Sequence, residues 1–117
     1  MFENRAAKDF DAVAVIEVDG KSRTIGIEYE RNPKAAARYR AIREVFERDE
    51  STDAVLYLTT NDDILYLLAM ELRAMRKRIG FVLSDAFRRS LLETRTLTNS
   101  NNSEVLPLRD FLCGNKT

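Results

Sequence analysis

The chain has 117 residues, 44% hydrophobic and 32% charged, with 19 basic side chains against 19 acidic ones. That length and balance fit one domain over residues 1–117 and exclude both a second sizeable core and a disordered chain. Zero net charge makes no whole-protein case for a nucleic-acid partner, so only a local patch can make one.

Histidine is absent and Cys113 is the single cysteine. Imidazole metal ligands, histidine-based triads, a cysteine zinc site and a disulfide within the chain are all excluded. Chemistry here has to rest on carboxylates, lysine, arginine, tyrosine or hydroxyls. No apolar run approaches the ~20 residues that cross a bilayer, and Met1-Phe2-Glu3-Asn4-Arg5 lacks the pattern of a signal peptide. The expectation is a cytoplasmic protein with no membrane partner.

After a lead over residues 1–9, Phe10 to Val18 is rich in β-branched residues and ends at Asp19-Gly20, a strong hairpin signal. Its antiparallel partner is expected from Arg23 to Arg31, where Thr24, Ile25, Ile27 and Tyr29 interleave with Gly26, Glu28 and Glu30. Asn32-Pro33 reads as a cap and first-turn proline, so a helix is expected from Pro33 to about Arg48 with Ala35, Tyr39, Ile42 and Phe46 on its apolar face. Asp53 to Thr60 reads as a strand buried on both faces.

Asn61 then caps a second helix, with Asp62 and Asp63 in its first turn, Ile64, Leu67, Leu68, Leu72 and Met75 as its core stripe, and Arg73, Arg76, Lys77 and Arg78 at its end. Ile79 to Leu83 reads as a buried strand, Ser84 to about Glu93 as a third helix, and Thr94 to Thr98 as an edge strand. Residues 99–117 are expected to form a polar loop and an apolar docking tail with a short helical turn. The fold class is therefore α/β, a mixed central sheet opened by an antiparallel hairpin, in the order β-β-α-β-α-β-α-β.

A two-residue Asp19-Gly20 turn pairs Val18 with Lys21 and places Asp11 opposite Glu28. Directly opposed residues point to one face with Cβ atoms roughly 4.5–5.5 Å apart, and strand periodicity brings Glu30 to the same face. Three converging carboxylates repel one another unless a cation lies between them. Mg2+ or Mn2+ is one solution, since both take oxygen ligands and can activate water. A salt-bridge network with Arg31, Lys34 and Arg38 is the other, and it needs no catalysis. Arg31 to Arg48 carries six basic residues against Glu44 and Glu47. That stretch is either a DNA footprint or a solvated helix face with Arg40–Glu44 and Arg43–Glu47 pairs. Tyr29, Tyr39, Tyr57 and Tyr66 all read as packing residues.

A strand with Asp11, a hairpin, a strand with Glu28-Tyr29-Glu30, then helix, strand and helix is similar to the core of the PD-(D/E)XK, or restriction-endonuclease-like, superfamily over Phe10 to Leu83. Within it, Ile25-Gly26-Ile27-Glu28-Tyr29-Glu30-Arg31 with Lys34 and Arg38-Tyr39 resembles the C-terminal domain of plasmid replication-relaxation and MobC-type mobilization proteins. In those proteins a winged-helix region usually precedes this domain.

The resemblance implies a DNA-processing protein of a plasmid or other mobile element, with metal-dependent phosphodiester hydrolysis or nicking. Asp11, Glu28 and Glu30 would be the metal ligands, and Glu30 or Lys34 would handle the attacking water. Glu30 stands where lysine is usual; some members use Glu-x-Glu, and alternatively Lys34 on the following helix would be the displaced lysine. Arg31, Lys34, Arg38, Arg40 and Arg43 would contact DNA. The alternative is an inactive nuclease-fold module that binds DNA or a protein partner in mobilization, replication or anti-defence, with the apolar tail as a partner or homodimer surface.

Overall fold

The computed structural model describes residues 9–114. Residues 1–8 of the expected N-terminal lead and residues 115–117 of the tail lie outside that range. Strand β1 (Ala12–Val18) turns through Asp19-Gly20 into β2 (Lys21–Glu30). Both turn residues have positive φ, 52° at Asp19 and 78° at Gly20, the mirror-image turn whose twist matches a hairpin. The register is the one expected from that turn, with Val18 opposite Lys21 and Ala12 opposite Ile27.

Helix α1 spans Ala36–Arg48 and starts three residues later than the Asn32-Pro33 signal implies. The residue flanking its start is Ala35, which has no side-chain acceptor. The reason is a side chain one turn into the helix. The Lys34 amide donates to the Tyr39 hydroxyl at 2.9 Å, which satisfies the backbone ahead of the helix without a cap at Asn32. Ala35 is exposed, whereas Tyr39 and Phe46 are buried as expected.

Strand β3 (Ala54–Thr59) lies centrally between β2 and β4 (Arg78–Leu83), parallel to both. Helix α2 (Asp62–Glu71) is capped by the Asn61 side chain, which accepts from the Ile64 amide at 3.0 Å. It ends before Arg73, Arg76, Lys77 and Arg78, so those four residues are not its last turn. Arg43 of α1 satisfies the exit from α2 instead, donating to the Glu71 and Arg73 carbonyls at 3.0 and 2.9 Å.

Helix α3 (Ser84–Ser90) closes in a 3-10 turn at Leu91–Glu93, and β5 (Arg95–Thr98) follows. The tail forms a short strand, β6 (Val105–Pro107), before α4 (Leu108–Cys113). The six strands lie in sequence order, antiparallel at both ends and parallel across β2, β3 and β4. This is a mixed α/β fold.

Two apolar layers sandwich the sheet. On one face Tyr39 and Phe46 of α1 and Ile64, Leu68 and Leu72 of α2 pack on Val55, Tyr57, Ile79 and Phe81. On the other, Leu108 and Phe111 of α4 and Phe87 of α3 cover Ile25, Ala54, Leu56 and Val82. Tyr29 and Tyr66 depart from the packing role expected of all four tyrosines, because they are 46% and 59% exposed.

Two buried polar nodes brace the lower edge of the sheet, where β3 and β4 begin. Lys77 Nζ sits 2.9 Å from Asp49 Oδ2 and 2.7 Å from the Thr52 carbonyl, and the Ser51 and Thr52 hydroxyls also donate to Asp49. Asn99, expected in a polar loop, is 5% exposed. Its side chain accepts from the Ile79 amide and donates to the Leu72 and Lys77 carbonyls. Among the described residues no buried side-chain nitrogen or oxygen lacks a partner, as expected for a specific core.

Candidate functional site

The carboxylates singled out in the sequence gather at the end of β2, on the face covered by α1. Gly26 positions the start of this region. A Cβ there would lie 2.6 Å from the Phe10 ring, so only glycine lets Phe10 lie flat on β2. Phe10 in turn stacks on Phe46 at 6.0 Å, which fixes the backbone leading into Asp11.

Asp11 directly precedes β1, whose first pair is Ala12 with Ile27, so it lies at the end of β2 that carries Glu28 and Tyr29. Its Oδ2 accepts the Tyr29 amide at 2.8 Å, so this carboxylate caps the unpaired end of β2. Glu28 is half-buried and lies beside Tyr57 in the parallel register. Burial first, and then the negative charges of Glu28 and Glu30, the Tyr39 phenol and Asp11, push the Tyr57 phenol far above its ordinary range. These groups therefore share one electrostatic neighbourhood, and Tyr57 stays protonated.

Glu30 is 5% exposed. Its Oε1 is ion-paired with Lys34 Nζ, and its Oε2 accepts the Tyr39 hydroxyl at 3.3 Å. Burial raises the Tyr39 phenol, the Lys34 amide opposes the rise, and the charge and hydrogen bond of Glu30 add to it. Tyr39 is thus held as a neutral donor. The triad locks the end of β2, the connecting segment and α1 into one unit.

In this arrangement two of the three carboxylates are engaged by donors of the protein itself. Asp11 turns to the Tyr29 amide and Glu30 to Lys34 and Tyr39. Among the described residues no group of three or more His, Cys, Asp or Glu side chains is arranged to hold a metal ion. Lys34 lies against Glu30 as its ion-pair partner.

The five basic residues expected to contact DNA divide into two sets. Lys34 is committed to Glu30, and Arg43 is committed to carbonyls at the end of α2. The side chains of Arg31, Arg38 and Arg40 are exposed, with no ion pair or hydrogen bond to another described residue. The expected helix pairs are not formed, because Arg43 turns away and Glu47 accepts the Arg76 and Lys77 amides. Helix α1 also has no acidic residue in its first turn. Its N-terminal end is accordingly an exposed electropositive surface next to the carboxylates.

The Asp49–Lys77 node was not legible as a pair, since 28 residues separate the two partners. Asp49-Glu50-Ser51-Thr52 does carry a local signal. The Ser51 amide donates back to Asp49 Oδ1 at 3.1 Å, the turn that aspartate before serine favours. No family model, curated protein or solved structure matches this chain.

Cys113 is a free, half-buried thiol. Among the described residues no helix is long and apolar enough to cross a membrane.

Proposed function

We propose that this chain is a DNA-binding module that contacts the phosphate backbone through Arg31, Arg38 and Arg40. The observation that carries this reading is that these three exposed guanidiniums, Arg31 on the segment between β2 and α1 and Arg38 and Arg40 in the first turns of α1, are left without partners among the described residues while Lys34 and Arg43 are consumed. Glu30 and Lys34 act in it as a structural clamp that holds the connection between β2 and α1, not as a metal ligand and a base. The similarity to plasmid mobilization and replication-relaxation domains supplies the setting, a protein of a mobile element acting on DNA.

The test is titration of a fluorescent duplex with the wild-type chain and with Arg31→Ala/Arg38→Ala/Arg40→Ala at about 0.15 M salt. Loss of three phosphate contacts should weaken binding on the order of a hundredfold, whatever the DNA sequence. Equal affinity of the two proteins would refute the assignment. The same DNA, incubated with Mg2+ or Mn2+, should remain uncut. Cleavage abolished by both Asp11→Ala and Glu28→Ala in folded variants would replace the clamp reading with metal-dependent hydrolysis.

A further inference from the structure

Helix α2 presents an exposed stripe that the proposed DNA surface does not use. Asp62, Tyr66 and Met70 follow one another at four-residue spacing, which places them in a line along the helix, and Arg73 continues it just past the end. Tyr66 is 59% and Met70 70% exposed, unusual for large apolar side chains on adjacent turns. The stripe borders two open hollows of about 200 Å³ each, which share Tyr66 and Leu97. They lie between α2 and the last two strands, with Leu97 of β5 lining both and Val105 of β6 lining one.

The charges at the two ends of the stripe are opposite. Asp62 and Asp63 are exposed at the start of α2, and Arg73 is exposed beyond its end. None of these three side chains has a partner among the described residues.

We propose that this stripe is the contact of a two-fold homodimer in which α2 packs antiparallel on α2 of a second copy. Antiparallel pairing sets Tyr66 against Met70 of the second copy, a sulfur–aromatic contact, and each protruding side chain enters the hollow beside the other helix. It also sets Asp62 and Asp63 against Arg73 of the second copy at both ends and opposes the two helix dipoles. The stripe is therefore complementary to itself. The exposed edge strand β1 offers no such match. Asp11 at one end and Glu17 and Asp19 at the other would meet as like charges in an antiparallel self-pairing.

The experiment is sedimentation of the full chain from about 1 μM to 1 mM, the range in which small interfaces associate. Wild type should shift to twice the 13.5 kDa mass of one chain. Met70→Glu, the double variant Asp62→Lys/Asp63→Lys, and Arg73→Glu should each weaken association at least about tenfold while keeping the wild-type circular dichroism spectrum. Mixing the Asp62→Lys/Asp63→Lys protein with the Arg73→Glu protein should restore a dimer, because each half-site then regains opposite charges. A monomeric wild type, a dimer indifferent to these variants, or a mixture that stays monomeric would each overturn the proposal.

Discussion

Replacing Lys77 by methionine is expected to cost about 3–5 kcal/mol of folding stability, because it leaves a buried carboxylate without its cation. The Asp49 side chain is wholly buried and that of Lys77 is 7% exposed, so water cannot take over the lost contact. Ser51 and Thr52 would still donate to Asp49, which keeps the loss below that of an isolated buried charge. Urea denaturation at pH 7 measures the effect, and a change below about 1 kcal/mol would show that the node is dispensable.

The same node governs acid stability. Burial alone would raise the Asp49 pKa. The hydrogen bonds from Ser51, Thr52 and Lys77 outweigh it and hold the carboxyl well below its ordinary 3.8. A depressed folded-state pKa contributes stability that is complete above the unfolded value and is lost as pH falls through the region below it. Stability should therefore decline below about pH 4 from this group. The decline should be shallower in Lys77→Met, where one of the interactions holding the pKa down is gone.

The second large effect is expected at Phe111, where truncation to alanine should cost about 3–5 kcal/mol. Phe111 is fully buried under the sheet and lies against Gly80, whose hypothetical Cβ would stand 3.0 Å from the ring. Arg78 covers the ring at 4.5 Å from its centroid and donates to the Phe111 carbonyl at 2.9 Å. A cavity there would loosen α4, β4 and the arginine together. The melting temperature of Phe111→Ala should fall well below that of wild type. An unchanged melting temperature would mean that the tail contributes nothing to the core.

The hairpin was legible because its determinants are local. Asp19-Gly20 can be crossed by a two-residue turn, and that turn fixes the register from Val18–Lys21 to Ala12–Ile27. The central position of β3 followed from its continuous apolar run, and the start of α2 from Asn61. The start of α1 was misread because the Tyr39 hydroxyl, five residues along the chain from the Lys34 amide it accepts from, replaced the expected cap. Strand β6 escaped notice because it is three residues long and ends in Pro107, tolerated here because it lies on an edge.

The carboxylate site was legible only in part. Periodicity gave the shared face of Glu28 and Glu30, but it could not say that Glu30 would be buried against Lys34 and Tyr39. Nor could it show that Asp11 would spend its oxygen on the Tyr29 amide. The Glu30–Lys34 pair is part of the salt-bridge solution that the sequence left open beside the metal one, whereas the burial of Glu30 under Tyr39 depends on how α1 docks, which the sequence spacing does not record. The same docking decided which basic residues stay free, withdrawing Lys34 and Arg43 and leaving Arg31, Arg38 and Arg40.

The most direct test of the DNA-binding account is the salt dependence of duplex binding, compared between wild type and Arg31→Ala/Arg38→Ala/Arg40→Ala. The account predicts that the slope of log affinity against log salt becomes shallower by about 3 in the variant, one counterion for each phosphate contact removed. Identical slopes for the two proteins, or no measurable binding by wild type at about 50 mM salt, would contradict it.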